Sequence, residues 1–320
     1  MTEKEMKKLS LLAEVACDYY ERRLDQNEIA KRLCLSRTRV SRLLKEAFEK
    51  GVINITVNYR YSEFNRHYEL EERFCSRFGL KTARILNNRG RDLACLQQDV
   101  GSLAAEYLTG CLKKDLVIGV AWGSALKDIA SSLYPAGFPV DVVQLMGSVP
   151  GGVPNCTPQA IVSDIAERIQ GHADYLNLPL FIEDDYARSQ LCSDWNNKKI
   201  LNKGVFSDLM ITGISSITEI GEKESWLGYM TPQMYRELLK KGAVGAVFAR
   251  FFDANGLEVD STWNRKCVGI PFCNIRESAD AVCIASSPQK AQAIYSAIRG
   301  KLINTLITDG TTATAVLNLL

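Results

Sequence analysis

Apolar side chains recur at three- and four-residue spacing from Lys8 to Arg22, at Leu9, Leu12, Val15, Ala16, Tyr19 and Tyr20, and predict a helix with one buried face. A second, short helix is predicted to begin at Asp25-Gln26-Asn27-Glu28, an acceptor at the N-cap with a carboxylate three residues on, and to bury Ile29, Ala30 and Leu33. Cys34-Leu35-Ser36 reads as a tight turn, with Ser36 capping a third helix whose apolar set is Val40, Leu43, Leu44, Ala47 and Phe48. Its other face carries Arg37, Thr38, Ser41, Arg42 and Lys45, with Arg39 near the first turn. Gly51 is placed to close this helix, and the β-rich run Val52 to Val57 that follows is expected to form a wing.

Beyond a polar, aromatic-rich connector from Asn58 to Arg66 and a helical stretch from Tyr68 to Phe78, the pattern changes. Short β-branched runs alternate with amphipathic helices, which predicts a doubly wound, mostly parallel sheet. The candidate strands are Leu116 to Ala121, Val142 to Met146, Asp208 to Thr212, Ala281 to Ala285 and Thr305 to Thr308. The expected class is α/β, with a three-helix winged module over 1–58 and a larger domain over 59–320.

Composition narrows the choice of partner. The net charge is only +2, but residues 1–60 hold 13 Lys/Arg against 9 Asp/Glu, so the first sixty residues carry +4 and the remainder −2. Between Lys31 and Lys45 there are six basic residues and no acidic one. A basic module on a nearly neutral body suggests polyanion binding at one end. No run approaches the eighteen or so apolar residues of a membrane span, and the charged N-terminus lacks a signal-peptide core, so a cytoplasmic location without membrane contact is expected. The ten cysteines never form a CxxC pair and only His67 and His172 accompany them, so reduced, mostly buried thiols and no metal site are expected.

The short second helix, the three-residue turn and the polar donors on the opening turns of the third helix describe a helix-turn-helix, whose recognition helix faces bases and phosphates in the major groove of duplex DNA. The candidate DNA-binding residues are Ser36, Arg37, Thr38, Arg39, Ser41, Arg42 and Lys45, with Gln26 at the start of the second helix as a phosphate contact. A three-helix oligomerisation module with solvated basic residues is the alternative.

In the larger domain the informative positions are the carboxyl ends of the strands, where helix N-termini favour anions. Trp122-Gly123-Ser124-Ala125 follows one strand: Gly123 permits close approach and Ser124 offers a hydroxyl. Ser286-Ser287-Pro288-Gln289-Lys290 follows another, with Ser287 at the N-cap and Pro288 at the first helical position. Lys290 then falls in a first turn, where a cation is unfavourable unless an anion is nearby, and is a candidate phosphate ligand.

The segments LSRTRVSRLLKEAFEKGVINI, IGVAWGSAL, LMGSVPGG, GAVGAVFARFFDANG and ASSPQKAQAIYSAIRGKLINTLITDGTTATAVL carry a resemblance that spans nearly the whole chain. In them the sequence resembles the SorC family of sugar-responsive regulators, whose effector domain is related in fold to sugar-phosphate isomerases and deaminases. The resemblance implies a DNA-binding dimer or tetramer whose operator affinity changes when a phosphorylated sugar or polyol binds. By motif position it implies Gly123, Ser124, Gln159 and Lys290 as effector ligands, with Gly213 at another strand end lining the same pocket; no cofactor is implied. Three departures bear on the effector: Ala246 where the family often has an acidic residue, Ala125 where a second hydroxyl often follows Ser124, and Met146 where a bisphosphate-binding member would use arginine. They imply a smaller or less hydroxylated effector and argue against a bisphosphate.

An isomerase- or deaminase-like enzyme on the same sheet is the competing reading, and it needs a poised carboxylate or histidine. Asp253, Asp260, Asp280 and Asp309 are available; Asp253 opens a hairpin-like turn and Asp309 stands where a helix cap is wanted. His67 in the connector and His172 beside a predicted strand lie away from the glycine-rich turns, so no catalytic residue is assigned and the chain is not expected to be an enzyme.

Overall fold

The computed structural model describes residues 3–53, 66–88, 93–148, 157–222 and 230–320. The chain divides into two compact units, Met1–Val57 and Asn58–Leu320.

In the first unit, helix α1 (Glu3–Ala16) ends in a widened π turn, Cys17–Glu21. Helices α2 (Gln26–Arg32) and α3 (Arg37–Glu49) follow. The expected capping box is present: the Asp25 side chain accepts from Asn27 and Glu28 N–H, and the Glu28 carboxylate accepts from Asp25 N–H at 2.7 Å. Leu12, Val15, Ile29, Val40, Leu43, Leu44, Ala47 and Ile53 close one small core. Two expectations fail. The π turn adds a residue to the repeat, so Asp18 becomes fully buried while Tyr20 is exposed. Phe48, in the last turn of α3, is also exposed, while its neighbour Ala47 is buried in the core. From Asn54 onward the expected wing lies outside the described residues, as does the connector up to Asn65.

The second unit is built on a seven-stranded sheet of parallel strands: β1 (Thr82–Leu86), β2 (Leu116–Val120), β3 (Val140–Gln144), β4 (His172–Asp174), β5 (Leu209–Gly213), β9 (Ala281–Ile284) and β10 (Thr305–Asp309). Their order is β1-β10-β9-β5-β2-β3-β4. Alternate residues of one strand enter opposite cores, as a period of two requires in a sheet covered on both faces. Leu209 and Ile211 face the core that includes helices Leu93–Cys111 and Pro158–Ile169, whereas Met210 faces the core shared with helices Tyr68–Phe78, Ala291–Arg299 and Gly310–Leu317. The strand read beside His172 is the short edge strand β4, while β1 and an antiparallel sheet of β6 (Ser215–Ser216), β7 (Ala243–Val247) and β8 (Arg250–Asp253) were not foreseen. The turn opened by Asp253 is hairpin-like, as read: Asp253 Oδ1 accepts from Asn255 and Leu257 N–H, and the chain folds back to pair Phe252 with Glu258.

Candidate functional site

On the first unit, local chemistry positions the recognition face. Ser36 Oγ accepts from Arg39 N–H at 3.2 Å, which starts α3, and shares a hydrogen bond with Thr38 Oγ1 at 3.0 Å. Arg37, Thr38, Arg39, Ser41, Arg42 and Lys45 are all exposed along α3, while Val40, Leu43 and Leu44 hold its other side to the core. Gln26, the first residue of α2, is half-buried. Lys45 shares its charge with Glu49 at 3.8 Å. The first unit also holds a feature the periodicity hid. The buried carboxylate of Asp18 accepts from Arg22 Nη1 at 2.8 Å and Arg32 Nε at 2.6 Å, and Arg32 also reaches Glu14 at 2.8 Å. This ties the end of α1 to the end of α2. The signal available in sequence was an Asp interrupting an apolar face.

On the second unit, parallel strands bring all their carboxyl ends to one edge. The chain runs outward from β2 to β3 and β4, then returns to place β5 on the other side of β2. The crevice between β2 and β5 is therefore the topological switch point where ligands of such sheets bind. Gly123 and Gly213 meet there: a Cβ added to Gly123 would lie 3.4 Å from the Gly213 Cα, and one added to Gly213 would lie 3.6 Å from the Gly123 Cα. Ser124 opens a short helix, Ser124–Lys127, with its side chain exposed. Gln159, in the first turn of helix Pro158–Ile169, donates its side-chain amide to Ser148 Oγ just after β3. Lys290 ends the 3₁₀ turn Pro288–Lys290 that follows β9, and is only 8% exposed. The five candidate effector residues therefore follow the four adjacent strands β9, β5, β2 and β3 at a common edge.

Electrostatics mark the Lys290 position. Burial pushes the thiol of Cys283, near the end of β9, up to about 12, and the neighbouring Lys290 ammonium opposes that rise. A largely buried ammonium suits an anionic group. Ser287 differs from expectation: it stands at the N-cap, but its hydroxyl turns to the Gln289 side chain instead of capping, and its backbone adopts φ +151°. That conformation is rare outside glycine. The Ser287 N–H is held by Thr312 Oγ1 at 2.8 Å, and Thr312 Oγ1 donates to Asp309 Oδ2 at 2.5 Å. Asp309 caps helix Gly310–Leu317, as its position after β10 suggested.

The departures noted in the sequence are apolar and buried where they stand. Met146 is fully buried in the core, Ala125 is buried, and Ala246 of β7 pairs with Ser215, two residues beyond Gly213. The four carboxylates weighed for catalysis have structural partners. Asp253 holds its turn and Asp309 its cap. Asp260 pairs with Arg265. Asp280 accepts from Thr305 Oγ1 and Tyr107 OH at 2.7 and 2.6 Å and pairs with Lys81 at 3.0 Å, just before β9 and so at the opposite edge from the crevice. Burial, together with the Asp280 contact, raises the Tyr107 phenol. His172 is exposed in β4, with Asp174 at 3.5 Å.

Cys17, Cys34, Cys75, Cys111, Cys192, Cys267, Cys273 and Cys283 are free, but of these only Cys267 and Cys283 are buried, and Cys34 and Cys273 are exposed; the expectation of mostly buried thiols is corrected, because most of them sit on helix faces or in turns. Among the described residues no group of three or more His, Cys, Asp or Glu side chains could hold a metal ion, and no helix is long and apolar enough to cross a membrane.

A sugar-binding domain family model matches residues 62–318, most of the second unit. The chain belongs to the SorC family of transcription regulators. It is 30% identical over 312 residues to the deoxyribonucleoside regulator of Bacillus subtilis (strain 168), covering 97% of this chain and 98% of that one. It is 27% identical over 316 residues to the sorbitol operon regulator of Klebsiella pneumoniae, covering 97% and 98%. The crystal structure of full-length sorbitol operon regulator SorC from Klebsiella pneumoniae superposes with a TM-score of 0.74 at 26% identity, covering 96% of this chain and 98% of that chain. The helical N-terminal unit and the α/β body are therefore the expected two parts of a regulator.

Proposed function

We propose that this chain is a cytoplasmic transcription regulator that grips a double-stranded operator through α3 and takes a phosphorylated sugar or polyol at the carboxyl edge of its parallel sheet. Residues 1–58 form the DNA-binding domain and 59–320 the effector-binding and oligomerising domain, and the working form is a homo-oligomer, dimer or tetramer, because paired half-sites require paired recognition helices. The observation that carries the reading is the juxtaposition at that edge: Gly123 and Gly213 let the ends of β2 and β5 approach closely, and the buried Lys290 ammonium follows the adjacent strand β9.

In this arrangement Lys290 takes the phosphate, Ser124 and the Gly123 backbone line the β2 side, and Gln159 exchanges its Ser148 partner for an effector hydroxyl. Buried Met146, Ala125 and Ala246 offer no polar side chain, which favours a monophosphate with few hydroxyls. No residue is assigned to catalysis, and the chain binds its effector without turning it over; the carboxylates that would carry acid–base chemistry are engaged in turns, a cap and an ion pair. On α3, Arg37, Arg39 and Arg42 supply base and phosphate contacts, and Gln26 supports the backbone contact from α2.

The test is a thermal-shift panel of sorbitol 6-phosphate, deoxyribose 5-phosphate, glucose 6-phosphate and their unphosphorylated parents, with product formation followed by chromatography. Saturable stabilisation by a phosphate ester, with the ester recovered unchanged, is expected. Stabilisation by the unphosphorylated parents alone, or conversion of an ester, would overturn the reading.

A further inference from the structure

The hydrogen-bond chain that begins at Ser287 does not stop at the effector edge. Thr312 Oγ1 has one proton, which goes to Asp309 Oδ2, so it can only accept from the Ser287 N–H, and the direction of the chain is fixed. The other Asp309 oxygen accepts from Thr312 N–H at 2.9 Å and from Asn88 Nδ2 at 3.2 Å. Asn88 Oδ1 in turn accepts from Gly310 N–H at 2.8 Å, and its amide nitrogen also reaches Thr311 Oγ1. Asp309 and Thr312 are essentially inaccessible to solvent, so water cannot replace a lost member cheaply.

Asn88 stands two residues beyond Leu86, the last residue of β1. Leu86 pairs with Asp309 in the β1–β10 ladder, and on its other side it makes an antiparallel bridge to Arg66. Arg66 is the last residue of the connector that leaves the first unit. The chain is fastened there twice: His67 N–H donates to Ile85 O at 2.8 Å, and the Arg66 guanidinium grips the buried Glu71 carboxylate through Nε at 3.0 Å and Nη2 at 2.5 Å. Glu71 also accepts from Ile85 N–H at 2.9 Å.

We propose that Asn88 is a positioning residue that couples the Ser287 turn, where the effector phosphate binds, to the β1 edge on which the connector is anchored. The proposal rests on the effector reading given above. An anion drawn to Lys290 acts on a turn whose Ser287 backbone already sits in a disfavoured conformation, so a small relaxation there is energetically accessible. Displacement of the Ser287 N–H pulls on Thr312 and Asp309, and the doubly held Asn88 amide passes it to the end of β1. The effector turn and the anchor of the connector are then linked through one set of contacts, which is the physical content of an allosteric coupling.

The test uses the full chain, with whichever of sorbitol 6-phosphate, deoxyribose 5-phosphate or glucose 6-phosphate stabilises it most. Asn88→Ala is compared with wild type for melting temperature, ligand affinity by thermal shift, and affinity for a promoter fragment by fluorescence anisotropy with and without ligand. The expected result is ligand affinity within about threefold of wild type, while the ligand-induced change in operator affinity, on the order of tenfold in the wild type, shrinks below about twofold. Thr314→Ala, which removes a hydroxyl that donates to Gly310 O on the same helix, is expected to keep the full response. Should Asn88→Ala melt far below wild type, Arg66→Lys, which keeps the charge but loses the two-pronged grip, reads the other end of the chain and is expected to weaken the response several-fold. A full wild-type response in the folded Asn88→Ala protein, or in Arg66→Lys where Asn88→Ala does not fold, overturns the proposal. If no phosphate ester stabilises the wild type, the effector reading fails first and the coupling falls with it.

Discussion

Replacing Lys290 by Met isolates the charge on which effector recognition turns. The side chain is 8% exposed and ends the 3₁₀ turn after β9, so methionine fills similar space while removing the ammonium. A hydrogen bond to a charged group contributes about 1.5–3 kcal/mol, so the effector dissociation constant should rise by roughly 10- to 150-fold. At ligand one hundred times the wild-type dissociation constant, wild-type stabilisation is about 2.7 kcal/mol; a thirtyfold loss of affinity leaves about 0.9 kcal/mol. For a body of this size that is a ligand-induced melting shift of roughly 5–10 °C falling to roughly 2–4 °C. The assay is a thermal-shift titration of both proteins with the stabilising ester, accompanied by anisotropy on the promoter fragment without ligand. Operator affinity in the absence of ligand should be unchanged. Superimposable titrations for the two proteins would remove Lys290 from the site.

Arg42→Ala should weaken operator binding by about 1–3 kcal/mol if the residue reads a base, leaving effector stabilisation intact, and full affinity in anisotropy would exclude that role. Asp18→Ala deprives Arg22 and Arg32 of their buried acceptor. Because both arginines are partly exposed and screened, the cost to the first unit should be about 1–3 kcal/mol in urea denaturation, and a change below about 0.5 kcal/mol would show that the bridge is ornamental. Burial pushes the thiols of Cys283 and Cys267 up to about 12 and about 11, so both stay protonated at pH 8. Iodoacetamide at that pH should modify exposed Cys34 and Cys273 and spare Cys267 and Cys283 until denaturant is added; mass spectrometry finding early modification of Cys283 would contradict its burial.

What was legible in the sequence was what local chemistry decides. The Asp25–Glu28 box and the Ser36 cap concern atoms three residues apart, and both appear as read. The central strands announced themselves by β-branched runs that serve two cores, and parallelism then carried Gly123, Gly213, Gln159 and Lys290 to one edge without further information. Edge strands gave weaker signals: β1 includes Arg84 among its five residues, and β4 is only three residues long. Asp18 was hidden because the π turn breaks the period used to assign faces. Ser287 looked like a cap by type and position, yet Thr312, 25 residues away, takes its N–H and its hydroxyl turns aside. Asn88 carried no signal, since its partner Asp309 is 221 residues distant and no local pattern encodes such a contact.

The most direct measurement of the central claim is an anisotropy titration of the full chain against a fragment of its own promoter at two salt concentrations, with and without the stabilising phosphate ester. Binding should weaken steeply with salt, in proportion to the phosphates contacted, and the ester should change the dissociation constant at least about fivefold. No binding at low salt, or identical constants with and without every ester of the panel, would contradict the account.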